Sequence, residues 1–327
     1  MTGANALLSV QDLRVVFDGR HGPLTALDGV SFDIAPGEIL GVVGESGAGK
    51  SLTGTSVIGL LDPPGRIAGG SIHLAGRRID NLLAEDMRKL RGREIGAIFQ
   101  DPLTSLHPLL KVGDQIVETI LAHLTVSRAD ARMRALQLLK DVGIPAADMR
   151  IDHYPHQFSG GMRQRVVIAL ALCAEPRLII ADEPTTALDV SIQAQITTLL
   201  KKLCRDHGTA IMLVTHDMGV IAETADRVAV MYAGRIVEIG PVDQVTRHPS
   251  HPYTAGLMAS IPSVHRRNPT LHQIDGAMPR LSAMPEGCPF HPRCGRVLPL
   301  CKTVRPELGA GQHASACHAP LREPSHV

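Results

Sequence analysis

Hydrophobic residues in the first hundred positions fall in short β-rich runs, LLSVQDLRVVF, GEILGVVG, GSIHLAG and REIGAIFQ, separated by turn residues. Blocks of this length, rich in Val, Ile and Phe and bounded by Gly, Asp and Pro, predict strands. Near Asp101 the texture shifts, and residues 112–143 carry mainly helical spacing, which predicts a helical insertion. From Arg165 the order becomes helix, apolar strand (LIIAD), long helix (190–207), strand (AIMLVT), short helix, then the strand pair VAVMY and RIVEIG around Ala233 and Gly234. Strands alternating with helices predict a mostly parallel α/β sheet. After Gly240 the chain turns to Pro, His, Arg and Cys without periodicity. A domain over 1–240, with a helical subdomain over about 101–165, and a separate extension over 241–327 are therefore expected. No internal repeat or low-complexity tract interrupts this pattern.

Composition narrows the possibilities. The 327 residues are 44% hydrophobic and 20% charged, which is ordinary for a globular chain with room for a large core. With 33 basic against 32 acidic residues there is no global field to hold a nucleic-acid backbone, so nucleic acid is not an expected partner. The start, MTGANALLSV, lacks the basic, apolar and small-residue regions of a signal peptide, which predicts a cytosolic chain. Apolar runs such as 166–174 fall short of the roughly 20 residues of a membrane helix, so any membrane role is expected to come through a partner. In a reducing compartment, clustered cysteines point to metal or redox chemistry before disulfides.

The stretch GESGAGKS (44–51) fits G-x-x-x-x-G-K-[ST], directly after the apolar strand 39–43 and before a helical run ending near Leu61. Glycines permit a tight loop whose amide hydrogens face phosphate oxygens, and the following helix N-terminus favours the anion. The expected nucleotide-binding set is Gly44, Glu45, Ser46, Gly47, Ala48, Gly49, Lys50, Ser51 and Leu52. Lys50 would reach the β- and γ-phosphates, and the Ser51 hydroxyl would bind Mg2+. LIIADEP (178–184) places two acids at the end of a buried strand, where ligands of open α/β sheets bind. Asp182 would hold Mg2+, directly or through water, and Glu183 would polarise the attacking water.

FSGGMRQR (158–165), ahead of that acidic strand, is similar to the signature motif of the ATP-binding-cassette ATPases, with Met162 where the family usually has Gln. The other cassette elements stand in the family's order: Gln100 ending AIFQ, TTALD with Asp189, and His216 after AIMLVT. The resemblance covers about residues 8–240. It implies an α/β P-loop ATPase core with a mixed, mainly parallel sheet, antiparallel β elements, a helical subdomain and a Cys-rich C-terminal extension. It also implies ATP and Mg2+, with Phe17 stacking on adenine and Gln100 as a ligand of Mg2+ and water. His216 would contact the γ-phosphate and hold the water with Glu183. Ser159, Gly160 and Gly161 would meet the ATP of an opposite subunit in a head-to-tail dimer, with Asp189 near that interface.

RGREIGAIFQDPLTSLHPLLKVGDQI (91–116) and HPSHPYTAGLMASIP (248–262) resemble the dipeptide and oligopeptide importer subfamily, which usually has TSLNP where this chain has TSLHP. The resemblance implies a peripheral subunit at the cytoplasmic face of the membrane, energising peptide uptake. Its partners would be a paralogous ATPase subunit, two membrane permeases and an extracytoplasmic peptide-binding protein, with nickel or glutathione import as the related alternative. Residues 103–110 would receive a coupling helix of the permease. The basic cluster Arg88, Lys89, Arg91 and Arg93 is expected to be a solvated face.

Cys288, Cys294, Cys301 and Cys317 follow the spacings C-x5-C, C-x6-C and C-x15-C. Four thiolates in one segment can bind a [4Fe-4S] cluster or tetrahedral Zn2+, and the spacing alone does not choose. The motif C-P-F-x-x-R-C resembles the ending of this importer subfamily, some members of which carry an iron-sulfur cluster, and on that resemblance iron-sulfur is preferred to zinc. His291, His313 and His318 would be substitute ligands for zinc and are otherwise expected at the surface. Cys173 and Cys204 lie in largely apolar helical patterns and are expected in the core.

Overall fold

The computed structural model describes residues 6–19, 22–185, 189–261 and 273–321. Thr186, Ala187 and Leu188 of TTALD, and Pro262 of the second subfamily motif, lie outside the described residues. In chain order the first elements are β1 (Leu8–Gly19), β2 (Gly22–Ile34), β3 (Ile39–Val43), α1 (Lys50–Val57), β4 (Gly65–Leu74), β5 (Arg77–Arg78), α2 (Ala84–Leu90) and β6 (Ile95–Ile98). Next come α3 (Pro102–Ser105), α4 (Val112–His123), α5 (Arg128–Asp141), α6 (Ala147–Arg150), α7 (Gly160–Leu172), β7 (Leu178–Asp182), α8 (Val190–His207) and β8 (Ala210–Val214). The remainder holds α9 (Met218–Thr224), β9 (Arg227–Tyr232), β10 (Arg235–Pro241), α10 (Val242–Arg247), α11 (Pro252–Ala259) and β11 (Ala314–Ser315).

Contacts divide the chain into two compact units, one of residues 1–34, 39–80 and 213–327, the other of residues 35–38 and 81–212. In the first unit β1 pairs antiparallel with both β2 and β4, and β5 extends β4. A second set of strands has β9 between parallel β3 and antiparallel β10. All five residues of β3 are buried, as an inner parallel strand covered on both faces requires. The segment after Gly240 groups with this unit, and its β11 adds to the edge of β10 through Glu238↔Ser315 and Ile239↔Ala314. In the second unit β6 and β7 pair in parallel. The buried face of α8 recurs at helical spacing as Ile196, Leu199, Leu200, Leu203 and Cys204.

Two differences from the sequence expectation have local causes. Residues 112–143 hold two helices, because Leu124 takes an extended conformation and Ser127 caps α5, its hydroxyl accepting the Asp130 N–H. The long strand β2 has little period-2 signal, since its pairing with β1 shifts register three times, and at two of these shifts the extra residue, Gly29 or Ala26, is on β2 itself. Each bulge exchanges which side chains face the core.

Buried polar groups tie the extension to its unit. Glu238 on β10 is fully buried and accepts hydrogen bonds from the Ser250 N–H at 2.7 Å and the His251 N–H at 2.9 Å, with His313 Nε2 at 2.6 Å. His313, expected at the surface, is instead the partner of a buried carboxylate. Tyr232, Tyr253 and Phe290 form an aromatic cluster with ring centroids 4.7 to 5.4 Å apart, within the range of favourable edge-to-face packing. Cys173 and Cys204 are buried, and burial pushes the Cys173 thiol up to about 12. Buried from the reagent, and in Cys173 with so little thiolate at neutral pH, both are expected to escape iodoacetamide in the folded protein and to react after denaturation. Mass-spectrometric mapping of native and unfolded samples checks this, and rapid native labelling of Cys173 would contradict the packing.

Candidate nucleotide site and thiol pocket

The phosphate loop runs from buried β3 into α1. Gly44 has φ 153°, and a Cβ there would lie 2.3 Å from the Met231 carbonyl oxygen, so the loop can leave the strand at that point only without a side chain. Gly49, at φ 102°, begins α1. Lys50 is 5% exposed and donates to the Gly44 and Glu45 carbonyls at 2.8 and 3.1 Å. The Glu45 carbonyl also receives the Ala48 N–H at 3.1 Å. Ser46, Gly47 and Ser51 are exposed, Leu52 is half-buried and Ala48 is buried. A glycine-built loop around a buried ammonium fits a polyphosphate, whose oxygens would take over the bonds now made by the loop carbonyls.

Asp182 closes β7 and Glu183 follows it with φ 46°, a left-handed conformation uncommon for a side-chain-bearing residue. Such strain persists where surrounding contacts hold it, and it gathers at functional sites. Here Gln100 Nε2 donates to Glu183 Oε2 at 3.1 Å, joining two residues 83 apart in sequence. Gln100 lies two residues beyond the end of β6, so AIFQ is a strand followed by a short exposed stretch. His216 follows β8, exposed, beside Thr215, whose N–H donates to Val42 O at 3.1 Å.

Ser159 caps α7, its hydroxyl accepting the Met162 N–H, and Ser159 and Gly160 are exposed at that helix start. Met162 receives Arg150 Nη1 at its sulfur, 3.4 Å away. Asp189 is the exposed N-cap of α8 and makes no side-chain capping bond. Phe17, half-buried on β1, lies beside Gly65, where a Cβ would come within 2.8 Å of its ring. Leu103 and Leu109 are 61% and 78% exposed while Leu106 is buried, so residues 103–110 present an apolar surface. The basic cluster is solvated in part: Arg88 and Lys89 pair with Glu85 and Asp86 at the surface, whereas Arg93 reaches the Ala174 carbonyl.

All four cysteines of the extension line one small pocket of about 10 Å3, with His251, Phe290, His291 and His318. Backbone N–H groups of Arg296 and Ala319 donate to the sulfurs of Cys294 and Cys317, each at 3.4 Å. Burial raises the Cys288 and Cys317 thiols, and neighbouring sulfurs raise them further. An all-cysteine lining with amide donors to sulfur suits an iron-sulfur centre or zinc in kind. Yet among the described residues no group of three or more His, Cys, Asp or Glu side chains stands at metal-holding distances. The expected centre is thus matched by the side chains gathered and not by their spacing.

Sequence reasoning missed what holds the loop from behind. Arg293, beside Cys294, pairs with Glu45 at 2.9 Å, and Tyr253 accepts the Glu45 N–H at 2.9 Å. The Arg in C-P-F-x-x-R-C was the available signal, but nothing in the sequence names its partner.

With this geometry in view, comparison with known proteins defines the class. The ABC transporter family matches residues 27–186, and the oligopeptide/dipeptide transporter C-terminal region matches residues 237–301. The chain belongs to the ABC transporter family, as an ATP-hydrolysing subunit. It is 47% identical to the oligopeptide transport ATP-binding protein OppD of Escherichia coli (strain K12), over 98% of this chain and 95% of that one. It is 49% identical to the dipeptide transport ATP-binding protein DppD of Bacillus subtilis (strain 168), over 92% and 90%. Among solved structures, the ATP-binding cassette MJ0796 bound to ADP and Pi matches with TM-score 0.65 and 29% identity, covering 72% of this chain and 98% of that one.

Proposed function

We propose that this chain is the ATP-hydrolysing subunit of an importer of dipeptides or oligopeptides. The observation that carries the reading is near-full-length identity to peptide transport ATP-binding proteins, with a match that continues through the extension at residues 237–301. Lys50 and the amides of residues 44–52 bind the phosphates of ATP, with Phe17 against the adenine. Ser51, Asp182 and Gln100 would hold Mg2+, which supplies charge neutralisation across the phosphates. Glu183 accepts the proton of the attacking water, which Gln100 and His216 orient. Ser159, Gly160, Gly161 and Asp189 complete the site of a second subunit, read as a paralogue. Two membrane permeases, contacted through residues 103–110, and an extracytoplasmic peptide-binding protein make up the rest. In this reading the chain attaches peripherally at the cytoplasmic face; among the described residues no helix is long and apolar enough to cross a membrane. A host lacking this chain is expected to lose uptake of labelled di- and oligopeptides and to regain it with the wild-type gene. Undiminished peptide uptake, with lost nickel or glutathione uptake, would move the substrate assignment to those solutes.

We further infer that residues 241–327 form an extension in which Cys288, Cys294, Cys301 and Cys317 ligate a [4Fe-4S] cluster that staples it together. Support comes from four thiols on one pocket and amide donors on two of the sulfurs. Protein purified without oxygen is expected to contain about four irons per chain and to absorb broadly at about 400 nm. Cys294→Ser should lose the iron. One zinc per chain and no colour would keep the staple with a different metal, and no metal would remove it.

A further inference from the structure

The phosphate loop contains an acid where an anion is to bind. Glu45 is the one acidic residue in GESGAGKS, and an uncompensated carboxylate there would repel the triphosphate. Arg293 meets it with a fork: Nη1 lies 2.9 Å from Oε2 and Nη2 lies 3.2 Å from Oε1. The Arg293 side chain is 6% exposed and Glu45 28%, so solvent screens this pair less than a surface pair. Three further bonds fix the guanidinium: Nε to Asp275 O at 2.8 Å, Nη2 to Ile274 O at 3.2 Å and Nη1 to Tyr232 Oη at 3.4 Å. Together these five bonds match the donor capacity of a guanidinium. The group also lies 5.8 Å from the Tyr232 ring centroid.

The same loop residue is held along its backbone. The Glu45 N–H donates to Tyr253 Oη, and Tyr253 is fully buried. Farther along the loop, Met278 Sδ stands 4.0 Å from where a Cβ on Gly47 would be. Tyr253, Met278 and Arg293 all come from the segment after Gly240, so the extension forms the rear support of the loop. A plain tether would not need charge, whereas a bidentate pair both fixes the loop and cancels a charge unfavourable to its ligand.

We propose that Arg293 is a positioning residue for ATP: by neutralising and orienting Glu45 it sets the phosphate loop for the nucleotide, making the cysteine-rich extension a working part of that site. The proposal rests on the reading of residues 44–52 as the phosphate site. Isothermal titration of the full chain with ATP tests it, using wild type, Arg293→Ala, Arg293→Ala/Glu45→Gln and Lys50→Ala. Removing Arg293 leaves a partly buried carboxylate beside the phosphates and is expected to weaken ATP binding about tenfold or more. The added Glu45→Gln should restore most of that loss, which a purely structural tether would not do. Should Arg293→Ala not fold, Arg293→Gln compared with Arg293→Gln/Glu45→Gln reads the same coupling, since glutamine removes the charge while keeping a hydrogen-bonding side chain in the space. Unchanged affinity in the Arg293 variants, or a loss that Glu45→Gln does not relieve, would overturn the proposal. Unchanged affinity in Lys50→Ala would instead overturn the phosphate-loop reading, and the positioning role with it.

Discussion

Glu183→Gln is expected to bind ATP with wild-type affinity and to lose at least about a hundredfold in steady-state hydrolysis, the range set by removing a general base. The substitution keeps the size of the side chain and an oxygen to accept from Gln100, so the contact at 3.1 Å can persist. What disappears is the capacity to take a proton from water. Because Glu183 already occupies a left-handed conformation, a change of shape would add backbone effects to chemical ones, and the isosteric amide avoids this. Binding and turnover measured on the same preparation separate the two roles. Retained turnover would remove Glu183 as the base.

Lys50→Ala is expected to act on the other quantity, raising the Kd for ATP about tenfold to a hundredfold through loss of charge-assisted hydrogen bonds. In the structure the ammonium is buried and donates to the carbonyls of Gly44 and Glu45. Its loss therefore also frees the loop, and arginine is not expected to substitute, being a larger planar fork in a space filled by a single ammonium. The pair of variants makes the division of labour visible, with Lys50 governing affinity and Glu183 governing turnover.

How much of this could be read from the chain depended on whether the signal was local. The strand β7, the helix α8 and the loop 44–51 lie where their patterns place them, because an unbroken apolar block, a period of 3.6 residues and a phosphate-loop motif are each complete within a few turns of sequence. The strand β2 was hidden, since the extra residues Gly29 and Ala26 at its own bulges break its alternation. The break between α4 and α5 was signalled only by Ser127, a cap residue within a stretch of otherwise helical spacing. Contacts between distant segments left no local trace at all. Arg293 and Glu45 are 248 residues apart, and His313 and Glu238 are 75 apart, so neither carries its partner's identity in its own surroundings. The four cysteines illustrate the intermediate case: their type and clustering were legible, and the structure brings them to one pocket, but ligating distances are a three-dimensional property that spacing did not fix.

Coupling of ATP hydrolysis in this chain to peptide import is tested most directly by reconstitution. The chain would be assembled with its permeases and companion ATPase in lipid vesicles, and steady-state ATP hydrolysis followed with and without peptide-loaded binding protein. Hydrolysis that rises with peptide-loaded binding protein and vanishes with Glu183→Gln in this chain is the predicted result. Hydrolysis indifferent to the loaded binding protein, or unaffected by Glu183→Gln, would contradict it.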